Sequence, residues 1–198
     1  MILVYNFPVF ISADPQKQTE ADRIKAAWSQ SSQFPSVAEV RSAALLAQEG
    51  YLTSVKRMYI GHMDISDIPS DHLGKLASIV TERVYIWSMT PNSQLGSILA
   101  SVQCYELALQ NMDLNEADTR ALVTAMSHRL DLVLLSQGVT LDLDALTAYD
   151  GRGHCTRLEV VGDDTRTRYR EQIKTWAREK EWTVTRDDDG WGLRVQRK

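Results

Sequence analysis

Side chains able to do chemistry are few and scattered. The four histidines, His62, His72, His128 and His154, form no pair at metal-ligand spacing, and neither an HExxH motif nor a CxxC pair occurs. Asp187-Asp188-Asp189 lacks the ligand spacing of a calcium loop and reads as a solvated turn. Gly151-Arg152-Gly153-His154 lacks the Gly-Lys-Ser/Thr ending of a phosphate loop and also reads as a turn. No serine sits in a G-x-S-x-G turn. The two cysteines, Cys104 and Cys155, remain as candidate nucleophiles. Each falls three residues before an apolar octet, so both take the same core slot, two repeats apart. Parallel strands at that separation put them on the order of 10 Å apart, beyond the about 7 Å between Cα atoms that a disulfide tolerates. The reading is two free, buried thiols without the exposure a nucleophile needs. The expectation is a protein that is no enzyme and takes no cofactor and no metal.

The elements that position these residues repeat. MYIGHMDI from Met58, VYIWSMTP from Val84, LALQNMDL from Leu107, LVLLSQGV from Leu132 and LEVVGDDT from Leu158 share one pattern, and their starts lie 26, 23, 25 and 26 residues apart. Slots one and three are always aliphatic or Met, as in strands with one buried face. Helical spacing fills the gaps between octets. Ser70 is expected to cap a helix with Leu73, Leu76 and Val80 on its inner face, and Leu95, Ile98, Leu99 and Val102 form the next. Asn115 caps a helix bearing Leu122 and Met126, and a short helix fits between Asp142 and Tyr149. A strand, a crossover helix and a return to a parallel strand make a right-handed unit. Each unit leaves an apolar side for its neighbour to close.

Flanks complete the array. Residues 1–54 read as an N-terminal cap, with helices over Thr19–Ser29 and Val37–Gln48, a capping box at Thr19 and Asp22, and a degenerate first strand over Ile2–Val9. Residues 55–181 hold the repeats. Residues 182–198 read as a hairpin around Asp187–Gly190, pairing Val184 with Leu193 and Trp182 with Val195, which closes the end of the stack.

The octets resemble the leucine-rich repeat family, consensus L-x-x-L-x-L-x-x-N-x-L, and are most similar to its ribonuclease-inhibitor-like and NOD-like-receptor type. The leading slot holds Val55, Thr81, Cys104, Arg129 and Cys155. The asparagine slot holds Met63, Met89, Met112, Gln137 and Asp163, so backbone groups at most strand ends must find other partners. The resemblance implies an α/β solenoid with a curved parallel sheet on the concave side and helices on the convex side. It implies protein binding on the concave face, in innate-immune or signalling recognition. Secreted members carry cysteine-rich caps that are absent here, which suits a reducing, cytoplasmic setting.

Strand alternation then assigns the concave face. Tyr59, His62, Tyr85, Trp87, Gln110, Val133, Leu135 and Glu159 are the expected partner-binding residues. An aromatic and apolar patch of this kind is the composition of an interface hot spot. The alternative reading is a self-associating scaffold, a homodimer through that patch or through a sheet edge. A net charge of −4, with basic residues interleaved among acids, argues against nucleic acid as the partner. No run approaches the roughly 18 apolar residues of a membrane span. The apolar start has no basic leader and contains Asn6 and Pro8, so it does not read as a secretory signal.

Overall fold

A computed structural model describes residues 14–30, 35–61, 66–88, 94–188 and 192–198, with side chains placed except at 163–168 and 188. Two helices, α1 (Pro15–Gln30) and α2 (Val37–Gln48), lead into strand β1 (Ser54–Gly61). Strand and helix then alternate as α3 (Ser70–Ala77), β2 (Val80–Trp87), α4 (Leu95–Ser101), β3 (Cys104–Gln110), β4 (Met112–Asp113) and α5 (Glu116–His128). The chain continues through β5 (Leu132–Leu135), β6 (Val139–Thr140), α6 (Leu143–Thr147), β7 (Arg157–Val160), α7 (Asp163–Glu179), β8 (Trp182–Asp188) and β9 (Gly192–Arg197).

The result is a mixed α/β fold with a mostly parallel seven-stranded sheet in the order β1-β2-β3-β5-β7-β9-β8. Strands β1, β2, β3, β5 and β7 run parallel, while β9 is antiparallel to both β7 and β8. β1 and β8 do not pair, so the sheet is open and not a barrel. β4 and β6 form a small parallel ladder of their own. Helices α2 to α7 pack against one another in chain order, and α1 packs against β1. No helix of the described residues is long and apolar enough to cross a membrane.

Local chemistry explains the boundaries. Asp14 begins α1, its carboxylate accepting from the Gln16 amide at 2.9 Å, where Thr19 had been the expected cap. Thr19 lies inside the helix and donates to the Pro15 carbonyl. The capping box belongs instead to α2, where Ser36 and Glu39 satisfy each other's backbone amides. That helix ends at Gly50, whose φ of +85° suits a residue with no Cβ. Asn115 caps α5 as expected, and Asp142 caps α6, its carboxylate accepting from the Ala145 amide. Ser70 is the first residue of α3, not its cap, and donates to the Gln94 side chain at 2.6 Å. Val80 belongs to β2 and is exposed.

Apolar pairs aligned across the strands form the core. Met58 and Ile60, Val84 and Ile86, Leu107 and Leu109, and Leu158 and Val160 are all buried, and β9 adds Leu193 and Val195. Burial is worth about 1.5–3 kcal/mol for each such side chain.

Two registers differ from expectation. The fourth octet begins at Val133, because Val133 pairs with Leu107 and Leu158, and Leu135 with Leu109 and Val160. Val133 and Leu135 are both 0% exposed, so they are core residues and not partner-binding ones. Leu132-Val133-Leu134-Leu135 is apolar throughout, and such a run carries no phase of its own. The neighbouring strands set it. The leading slot is accordingly filled by buried Leu130 in place of Arg129. In the hairpin, Val184 pairs with Val195 and Trp182 with Arg197. The DDDG run predicts a turn at Asp187, but its carboxylate is held by Arg170 and Lys174 of α7, which keeps it in the strand. A bulge between Val184 and Arg186 absorbs the mismatch.

The last helix and the hairpin close one end of the core. Tyr149, Trp176 and Trp182 pack together with ring centroids 5.1–6.3 Å apart. Both indole N–H groups are satisfied, Trp176 donating to the Tyr149 carbonyl and Trp182 to that of Gly151, each at 3.1 Å. The expected strand over residues 2–9 lies outside the described residues.

Candidate functional site

With the apolar pairs turned toward the helices, alternation sends the intervening side chains to the opposite face of the sheet. That open face is ordered into rows by the strand registers. One row runs Arg57, Arg83, Glu106, Leu132, Arg157, Gln196 and Thr183 from β1 to β8. The next runs Tyr59, Tyr85, Ala108, Leu134, Glu159, Arg194 and Arg186. A third begins with Gly61, Trp87 and Gln110.

Of the expected partner-binding residues, Tyr59, Tyr85, Trp87, Gln110 and Glu159 lie together on this face, each half-buried. His62 lies outside the described residues. Val133 and Leu135 point into the core, and Leu132 and Leu134 take the places on the open face that they had been given.

Specific contacts hold the aromatics. The Tyr59 and Tyr85 rings stack with centroids 4.8 Å apart and planes within 3°. Arg83 Nη1 donates to the Tyr85 hydroxyl at 2.9 Å, while its other terminal nitrogen pairs with Glu106 at 2.5 Å. Gly61 leaves room for Trp87, since a Cβ there would collide with the Trp87 backbone carbonyl. With the Asn111 amide oriented to satisfy its neighbours, the Trp87 indole N–H donates to its oxygen at 2.9 Å and its nitrogen donates to the Gln137 carbonyl at 2.8 Å.

Asn111 thus supplies a side-chain bridge at a strand end, one slot before the position the family pattern gives to asparagine. Its φ of 49° is a left-handed conformation that Asn tolerates better than most residues. Backbone bonds between successive strand ends do the rest: Ser88 N–H to Gln110, Asn111 N–H to Gln137 and Met112 N–H to Gly138, at 2.9–3.1 Å.

The charged part of the face was missed in the octets. Arg57, Arg83, Glu106 and Arg157 each stand one position before an octet, a periodicity present in the sequence at the four octets whose register is clear. Arg194 and Arg186 could not be placed without the true hairpin register. Glu159 sits between two guanidiniums, 2.8 Å from Arg194 Nε and 3.4 Å from Arg157 Nε. Burial opposes the charge on Arg83, but the Tyr85 hydroxyl and the Glu106 carboxylate together outweigh it, and its pKa is raised.

Elsewhere the reactive groups are withdrawn. Burial pushes the Cys104 thiol up to about 12 and the Cys155 thiol up to about 11. Cys104 lines a shallow groove at the leading ends of β2 and β3 with exposed Val80 and Tyr105 and with Arg129. Arg129 is occupied there, donating to the Ala100 and Val102 carbonyls at the C-terminal end of α4. No cluster of three metal-ligating side chains occurs among the described residues. No family model, curated protein or solved structure matches the chain.

Proposed function

We propose that this chain is a non-catalytic protein-docking module, a short array of leucine-rich-repeat-like units that engages its partner with the open face of the sheet. The observation that carries the reading is the Tyr59–Tyr85 stack with Trp87 one row away, three large aromatics half-exposed on one side of a rigid sheet. Interfaces concentrate Tyr, Trp and Arg, and aromatics held in place lose little entropy on binding. The strand–helix repeat of 23–26 residues and the chain-order packing of helices support the array. Buried thiols with raised pKa values support the absence of a cysteine nucleophile.

Self-association is the weaker reading. A two-fold contact would bring arginines of one open face against those of another. The edge strand β8 presents Thr183, Thr185 and Arg186, a polar edge that resists strand addition.

Photo-crosslinking tests the proposal. A photoreactive residue at Gln110 should capture a partner from the native source, one at Lys75 on α3 should not, and Tyr85→Ala should remove the Gln110 product. Capture from Lys75 alone would sink the reading.

A further inference from the structure

We infer that the open face is shaped for an acidic polypeptide segment, one that presents carboxylates beside an apolar side chain. The inference rests on the docking reading and specifies the partner's chemistry. The chain as a whole carries a net charge of −4. Its open face has the opposite sign, with Arg57, Arg83, Arg157 and Arg194 in the two rows. Against them stand Glu106 and Glu159 among the described side chains of those rows.

Placement matters more than number. Arg57 lies directly opposite Arg83. Like charges facing each other across strands destabilise a sheet, and a face selected for folding alone would alternate the signs. One glutamate serves each cluster. Glu106 is taken by Arg83. Glu159 is shared by Arg157 and Arg194, and the buried Nε–H of each still lacks a well-aligned hydrogen bond. Two guanidiniums to each glutamate leave cation in excess in both clusters, and that calls for anion from outside the fold.

Polypeptide carboxylates match this pattern better than a phosphate backbone. Glu106 and Glu159 interrupt any continuous basic track, and the negative molecule opposes the approach of a polyanion. A guanidinium fork takes a single carboxylate through two parallel hydrogen bonds. The Tyr59–Tyr85 stack adjoins the Arg57–Arg83 pair, so a carboxylate bound at the pair brings its neighbouring side chain over the rings.

The test uses the full chain and four labelled probes in fluorescence anisotropy: dodecapeptides of repeated Glu-Glu-Leu, Gln-Gln-Leu and Lys-Lys-Leu, and a twelve-nucleotide oligothymidine. The Glu peptide should bind at least about tenfold more tightly than the Gln or Lys peptide, and more weakly as salt screens the pairs. Arg194→Glu should weaken it about tenfold with an unchanged circular dichroism spectrum. Arg57→Gln relieves a like-charge contact, so it should raise the melting temperature while weakening the Glu peptide, a combination that a purely structural role would not produce. Equal binding of the three peptides, no binding of any, or tighter binding of the oligonucleotide overturns the inference. If Tyr85→Ala removes the Gln110 crosslink but Arg57→Gln does not, the docking reading stands and only its acidic specificity falls. If neither variant removes it, both fall.

Discussion

Tyr59 and Tyr85 lie ring on ring across adjacent parallel strands, 4.8 Å between centroids and 3° between planes. That separation exceeds the contact distance of roughly 3.5 Å between stacked carbons, so the rings are offset, the arrangement their quadrupoles prefer. Arg83 fixes one partner by accepting no freedom at the Tyr85 hydroxyl, to which it donates.

The stack should show as a coupling energy. Tyr59→Ala and Tyr85→Ala should each leave the fold intact, and a double-mutant cycle in urea should return about 0.5–1.5 kcal/mol. Additive single variants would mean the rings do not support each other.

The phase of β5 is open to a direct test. Val133→Asp and Leu109→Asp each place a charge in the shared core and should abolish cooperative unfolding. Leu134→Asp, on the open face between Ala108 and Glu159, should keep it. Circular dichroism decides. Tolerance of Val133→Asp with loss of fold in Leu134→Asp would restore the register expected from the octet at Leu132.

Alkaline stability should track the cysteines. Their folded pKa values of about 12 and about 11 lie above the ordinary 9.0, so the stability tied to the protonated thiols is complete below pH 9 and is lost as the pH rises toward those values. At pH 10 an unfolded thiol gains about 1.4 kcal/mol by ionising while the buried one stays protonated. Urea midpoints at pH 7 and pH 10 should therefore fall further apart in the wild type than in Cys104→Ala/Cys155→Ala. Equal falls would place both thiols in contact with water.

The strand-end bridge should be costly to remove. Asn111→Ala loses the acceptor for Trp87 and a residue tolerant of φ 49°, a loss of about 1–3 kcal/mol in chemical denaturation. Gly138→Ala should cost at least as much, because φ there is 71° and the new Cβ would strike Asn111. Trp87 fluorescence should shift in both variants.

Much of the fold was legible because its signal is local. Leu107-Ala108-Leu109 and Leu158-Glu159-Val160 alternate and announce their own phase, and Asn115 and Asp142 are caps that need only their own helices. Leu132–Leu135 has no alternation, so its phase is a property of β3 and β7. The hairpin misled for a related reason. A DDDG run looks like a turn, but cations on α7, distant in sequence, draw Asp187 into the strand. The site divided the same way. Tyr59, Tyr85 and Trp87, with Arg57, Arg83 and Arg157, follow from alternation in and beside clear octets, whereas Leu132, Leu134 and Arg194 need registers that only the assembled sheet defines.

The strand order has a kinetic meaning. From β1 to β7 the neighbours in the sheet follow the chain, so each unit can dock on its predecessor as it emerges during synthesis. At the end the order inverts: β9 lies between β7 and β8, and β8 reaches the sheet only through β9. Trp182, which covers the end of the core beside Tyr149 and Trp176, belongs to that waiting strand. A ribosome that has delivered β8 has therefore not yet delivered a sealed protein. Closure of this end requires β9 in place between β7 and β8.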